Sequence, residues 1–185
     1  MAFGKINSSP LFLSLVIALG GIAALTDFRT GKIYNWLTFP FIVGGLLYQT
    51  YLSGLTGMTD ALAGCLLGLG LGFIPFWMNW LGAGDVKLMM ALGSLGGGRF
   101  IQEVLILSLF LGSFMGLIQL TWRGKLVGFL KRLQSFLRSR LISGLEPEEI
   151  RLDRTTTLPF AIPLGIGAIW TAWSHPVLQG GWLLW

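Results

Sequence analysis

Two aspartates, Asp27 and Asp85, stand at the ends of strongly apolar stretches, each with glycine and basic residues close by. Asp27 opens the run Asp27-Phe28-Arg29-Thr30-Gly31-Lys32-Ile33-Tyr34-Asn35, whereas Asp85 closes Gly82-Ala83-Gly84-Asp85 and leads into Val86-Lys87-Leu88. Ionisable groups at or within a membrane are costly, so they mark functional positions by default. Two carboxyl groups held in different protonation states divide general acid and general base work. In peptide hydrolysis by such a pair, the charged carboxylate takes a proton from water while the neutral acid donates to, or polarises, the scissile carbonyl. That chemistry needs no metal, covalent intermediate or organic cofactor, and no cofactor is expected.

The local sequence offers a source of asymmetry. A helix expected to begin at Val86 places Asp85 at its N-terminus, where free amide donors and the helix dipole suit a base. Asp27 follows the first apolar helix, at its negative end, which suits the acid, although a coupled pair titrates as a unit. Gly82 and Gly84 permit a tight turn and let a substrate backbone approach the carboxylate. Structural readings compete with these. Asp85 serves equally well as an N-cap, and Asp27 as an interfacial residue paired with Arg29 or Lys32. Lys87 either balances the pair or extends its ammonium to the phosphate region. Asp60 and Glu103 read as boundary residues of the opposite membrane face.

The elements that must position these residues are membrane helices. A chain of 185 residues that is 54% hydrophobic and 11% charged, with mean hydropathy +0.73, has too much apolar surface for one soluble core. Its 27 glycines and eight tryptophans suit close helix contacts and the membrane interface. The single cysteine, Cys65, excludes an intrachain disulfide and a multi-cysteine metal site, and with one histidine, His175, transition-metal chemistry is disfavoured. Windows long enough to span fall at about residues 10–26, 36–53, 60–80, 100–122 and 157–174, with a short sixth at about 86–98. The short one spans only if neighbours cover its glycine-rich ends or the bilayer thins. The expected fold is therefore all-α, a polytopic membrane protein of about six transmembrane helices in one domain.

With the N-terminus outside and six crossings, eleven of the 13 lysines and arginines face the cytoplasm, leaving Lys5 and Arg99 outside. The same topology puts Asp27 and Asp85 on the cytoplasmic side. A signal-peptide reading of the first apolar run is weaker, because further apolar segments follow. Between the last two spans lies a basic loop at about 123–156. Leu126, Phe129, Leu130, Leu133, Phe136, Leu137 and Leu141 recur there at helical spacing, with Lys131, Arg132, Arg138 and Arg140 largely opposite. This predicts a cytoplasmic amphipathic helix held by anionic lipid. A calmodulin-target or nucleic-acid reading is disfavoured, and no nucleic-acid partner is expected. Glu146-Pro147-Glu148-Glu149 reads as a solvated acidic turn. Gly96-Gly97-Gly98-Arg99 lacks the lysine and hydroxyl residue of a nucleotide loop.

The first motif, Asp27 with Arg29, Lys32, Ile33 and Asn35, and the second, Gly-Ala-Gly-Asp-Val-Lys at 82–87, together resemble the type IV prepilin peptidases, membrane aspartic proteases with a G-x-G-D signature. Leu158-Pro159-Phe160-Ala161-Ile162-Pro163 is similar to that family's proline-containing approach to its last helix. The resemblance runs from Leu11 to Trp173. It implies that Asp27 and Asp85 are the catalytic dyad, with Gly82, Gly84, Lys87, Arg29, Lys32 and Asn35 as motif support. It also implies a bacterial inner-membrane peptidase that removes a short basic leader from prepilins or pseudopilins at the cytoplasmic face. Tyr34 stands where the family has proline, which predicts an altered loop after Asp27. No cysteine-bearing methyltransferase domain precedes the first helix in this sequence, so a small peptidase-only form is expected. Competing readings are a proton- or cation-coupled transporter component, which would need its carboxylates deeper along a pathway, and a noncatalytic assembly subunit.

Overall fold

The computed structural model describes residues 10–78, 81–122, 124 and 160–178. The described residues are helical apart from short turns: α1 (Pro10–Thr30), α2 (Asn35–Trp77), α3 (Ala83–Trp122) and α4 (Ala161–Leu178). By length and composition α1, α2 and residues 83–119 of α3 are apolar and long enough to cross a membrane, and Ala161–Ser174 is a shorter apolar helix. The amphipathic helix and acidic turn expected between 123 and 156 lie outside the described residues.

Helix ends follow from local chemistry. Pro10 opens α1 at the position where a fixed φ and a missing N–H do no harm. The same helix stops at Gly31, whose left-handed φ of 62° turns its N–H back onto the Asp27 carbonyl at 2.7 Å. That five-to-one closure is the αL termination favoured by glycine, and it places Asp27 in the last turn. Tyr34 precedes α2 in an extended conformation, with φ −82° and ψ 142°. Its φ lies close to the value proline imposes. The residue that departs from the family pattern thus keeps a backbone that a proline would nearly match.

Two glycines reverse the chain inside α2 and α3, at Gly54 (φ 62°) and Gly97 (φ 81°). Contacts along α2 make the first reversal explicit. Asn35 meets Lys87, and Gln49 meets Leu95, so the first part of α2 runs parallel to α3. Beyond Gly54 the order inverts: Asp60 meets Gly98, Gly64 packs on Gly93, Gly68 on Met89 and Gly72 on Val86. The sequence windows at 36–53 and 60–80 thus correspond to 35–53 and 55–77 of one helix broken by a single residue. Likewise, Phe100 beyond Gly97 packs edge-on against Phe12, ring centres 5.3 Å apart, and Ser108 lies against Gly167.

The expected short segment is 83–96, the part of α3 before Gly97. From Asp85 to Gly98 it is buried on almost every side, with Leu88, Leu92 and Leu95 fully enclosed among Phe12, Val16, Leu19, Phe100, Val104 and Leu164. A helix apolar all round belongs inside other helices, and the neighbours cover its glycine-rich end as the short window required. Close approach comes from glycine. A Cβ on Gly64 would strike the Gly93 carbonyl and sit 2.6 Å from the Gly97 carbonyl carbon. Asp60 occupies the Gly97 reversal, accepting the Gly98 N–H at 3.3 Å. It caps the helical segment after the turn, a role more specific than that of a boundary residue.

One buried polar contact joins the first part of α2 to α3. Gln49, 8% exposed, donates its Nε2 to the Leu95 carbonyl at 2.7 Å, two residues before the reversal at Gly97. Gln49→Leu is expected to strand the carbonyl and lower stability by about 1–3 kcal/mol. Thermal unfolding of the purified protein in detergent checks this, and an unchanged midpoint would show that water reaches the carbonyl.

The described residues up to Leu111, together with 160–178, form one compact unit, and the end of α3 from Gly112 belongs to a second. The described part of the second is the end of α3, where Phe114, Leu117, Ile118 and Trp122 are exposed. Both aspartates and the described residues that they bond lie in the first.

Candidate active site

A cavity of about 350 Å³ is lined by Asp27, Gly31, Lys32, Ile33, Tyr34, Asn35, Gly82, Ala83, Gly84 and Asp85. The loop after α1 forms one wall and the turn into α3 the other. Of the residues singled out in the sequence, Asp27, Asp85, Gly82, Gly84, Lys32 and Asn35 come together here. Arg29 is exposed in the last turn of α1, where a cation suits the helix dipole, and is not among the lining residues.

The start of α3 differs from expectation. The helix begins at Ala83, not Val86, because the N–H groups of Asp85 and Val86 both bond back to the Gly82 carbonyl, at 3.1 and 3.4 Å. Gly82 therefore holds the cap position and Asp85 the third helical one. From there Asp85 Oδ2 reaches back to accept the Gly82 N–H at 3.1 Å, the geometry of the acidic member of a capping box. Gly82 and Gly84 suit a tight turn, and that local preference hides the helix start. Gly84 has a packing role as well, since a Cβ there would lie 2.9 Å from Ile33 Cβ.

The two carboxyl groups have unlike surroundings. Asp85 is 8% exposed, and its enclosed Oδ1 takes no hydrogen bond within the described residues. Asp27 is half-buried and its Oδ2 accepts the N–H of Ala161 at 3.4 Å, across 134 positions of chain. The first turn of a helix has N–H groups with no helical partner. In α4 these belong to Ala161 and Ile162, since Pro163 has none, and Asp27 satisfies the first. The sequence reading set Asp27 at a negative helix end and Asp85 at a positive one. The Ala161 contact corrects that contrast: each carboxyl meets the N-terminus of a helix, and helix polarity alone does not assign acid and base.

Lys87 has a definite partner. Its Nζ donates to Asn35 Oδ1 at 2.7 Å, which joins the second turn of α3 to the first residue of α2. Sequence reasoning gave Lys87 an electrostatic or lipid-facing role and missed this bond, because residues 52 positions apart carry no local signal. It also missed Tyr34, Ile33 and Ala83 as lining residues, and the Ala161 amide. The proline-containing segment leading into α4 was the available hint for the last.

Comparison with known proteins bears on what such a cavity serves. Residues 12–120 match the type IV leader peptidase family. The chain is similar to a prepilin leader peptidase/N-methyltransferase of Burkholderia pseudomallei, 29% identical over 135 residues, covering 67% of this chain and 41% of that protein. It is 35% identical to the protein of the same name from Aeromonas hydrophila over 105 residues, 52% of this chain and 36% of that one. To leader peptidase HopD of Escherichia coli it is 28% identical over 121 residues, 62% of this chain and 77% of that one. The chain thus spans less than half of the longer relatives. No solved structure gives a significant match. The matched region holds both aspartate motifs and the walls of the cavity, and the chain belongs to the type IV leader peptidase family.

Proposed function

We propose that this protein is an aspartic endopeptidase that removes the leader from prepilin or pseudopilin precursors at the cytoplasmic face of a bacterial inner membrane. The observation that carries the reading is one cavity lined by both Asp27 and Asp85, from helices far apart in sequence. Relatives named as prepilin leader peptidase/N-methyltransferases supply the substrate class. The six helical segments each cross, which leaves the basic residues predominantly inside and both aspartates on that side. Anionic lipid at the same surface attracts the basic region at 123–156. The proposal is confined to leader cleavage. Family membership and carboxyls at one end of the bundle favour it over transport or a noncatalytic role.

The chemistry follows from a shared proton. One carboxylate takes a proton from water as its oxygen attacks the scissile carbonyl carbon, and the other carboxyl protonates the carbonyl oxygen. The tetrahedral intermediate collapses with cleavage of the C–N bond: the carboxyl that took the water proton passes it to the leaving nitrogen, and the other recovers a proton from a hydroxyl of the intermediate. Each cycle returns one proton to the pair. Gly82, Gly84 and Gly31 keep the walls free of side chains where an extended peptide must lie.

The test is direct. Purified protein reconstituted with a type IV pilin-like precursor is expected to convert it to a shorter product whose new N-terminus lies just after the basic leader. The rate should be bell-shaped in pH, because only the singly protonated pair works. A cognate precursor left intact at every pH would contradict the reading.

A further inference from the structure

We propose that Lys87 is a positioning residue whose bond to Asn35 clamps the Asp85 turn onto the loop that follows Asp27. This rests on the peptidase reading for its consequence, though not for its geometry. The cavity has two walls from different parts of the chain, residues 31–35 and residues 82–85, and the placement of Asp85 relative to Asp27 depends on how those walls meet. Two contacts join them. One is the approach of Gly84 to Ile33, where a Cβ would come within 3.3 Å of the Ile33 nitrogen. It sets how near the walls come but allows sliding. The other is the 2.7 Å bond from Lys87 Nζ to Asn35 Oδ1, charge-assisted and directional, which fixes the register.

Helix stability does not account for a lysine here. Lys87 lies in the first two turns of α3, at the positive end of the dipole, where a cation is disfavoured. Nor does it serve Asp85, whose Oδ2 takes the Gly82 N–H. Asn35 is the first residue of α2 and the last lining residue of the loop. An anchor at that point holds the loop taut from Gly31, where α1 ends, to the start of α2. Asn35 and Lys87 thus tie the helix following each catalytic motif to the other, and small displacements of reacting groups slow an enzyme strongly.

The experiment measures cleavage and hydrogen exchange for the wild type, Lys87→Met, Asn35→Leu, the double variant and Lys87→Arg. Each disrupting single change is expected to lower kcat about tenfold or more with KM within about twofold. The double variant should lose no more than either single, and Lys87→Arg should recover most of the rate. Additive losses, an unchanged kcat, or an effect confined to KM would overturn the clamp. Exchange needs no substrate: amides of 31–36 and 82–88 should exchange faster together in Lys87→Met and return towards wild type in Lys87→Arg. Unaltered exchange in both segments overturns the clamp, even with a wild-type enzyme that cleaves its precursor. If the wild type cleaves nothing while exchange rises in both segments, the peptidase reading fails and the clamp stands.

Discussion

Asp85→Asn and Asp27→Asn are each expected to lower precursor cleavage by about 10²–10⁴-fold while leaving the fold intact. The amide oxygen of an asparagine at 85 still accepts the Gly82 N–H, and one at 27 still accepts that of Ala161, so the helix starts that these side chains cap survive. What disappears is the exchange of a proton. Groups that act as one unit lose their function together, so the double variant should be no slower than either single variant. Asp60→Asn, which changes the carboxyl at the Gly97 reversal, should cleave at the wild-type rate. A purely structural role for Asp85 makes the opposite forecast: unimpaired turnover in Asp85→Asn, since the capping contact is retained. Single-turnover rates on one precursor, with thermal midpoints measured alongside, separate the two.

The second large effect concerns packing. Gly64→Ala is expected to destabilise the protein by about 1–3 kcal/mol, the usual consequence of overfilling a close-packed contact. The added methyl meets backbone atoms of Gly93 and Gly97, not the end of a flexible side chain, so two helical segments must move apart. Gly70→Ala is the matched control. It lies in the same part of α2 with nothing within 4 Å of the new Cβ, and alanine is the better helix former, so stability should hold or rise. Cys65 offers a convenient reporter. It is the only cysteine and is buried, so its reaction with a thiol fluorophore on heating follows unfolding. For a domain of this size the Gly64→Ala shift corresponds to a midpoint lowered by about 2–12 °C. Equal midpoints for the two variants would refute close backbone contact at Gly64.

Much of this was legible in the residues because the membrane makes charge conspicuous. Asp27 and Asp85 stand out against long apolar runs, and glycines at 82 and 84 beside a carboxylate point to close approach. Hydropathy located six apolar segments. It did not show that two of the breaks are single glycines, because a positive φ at Gly54 or Gly97 leaves no polar loop to detect. The start of α3 was misplaced for a related reason: Gly82-Ala83-Gly84 has weak helix propensity, yet burial of the following segment and the capping contact of Asp85 draw those residues into the helix. Partners distant in the chain were out of reach. Nothing near Asp27 announces the Ala161 amide, and nothing near Lys87 announces Asn35. Helix polarity read from the helix in which Asp27 resides leaves out the N-terminus of α4, which the Asp27 carboxyl also meets.

In the proposed reaction one cavity presents both carboxyls to one substrate bond, so Asp27 and Asp85 must lie close together in the native membrane. In a Cys65→Ser background, Asp27→Cys paired with Asp85→Cys should be joined within one chain by a short bifunctional thiol reagent, detected as a linked peptide by mass spectrometry. Asp27→Cys paired with Asp60→Cys, at the far end of the bundle, should remain unlinked. Linking of the 27–60 pair in preference to the 27–85 pair would contradict the account.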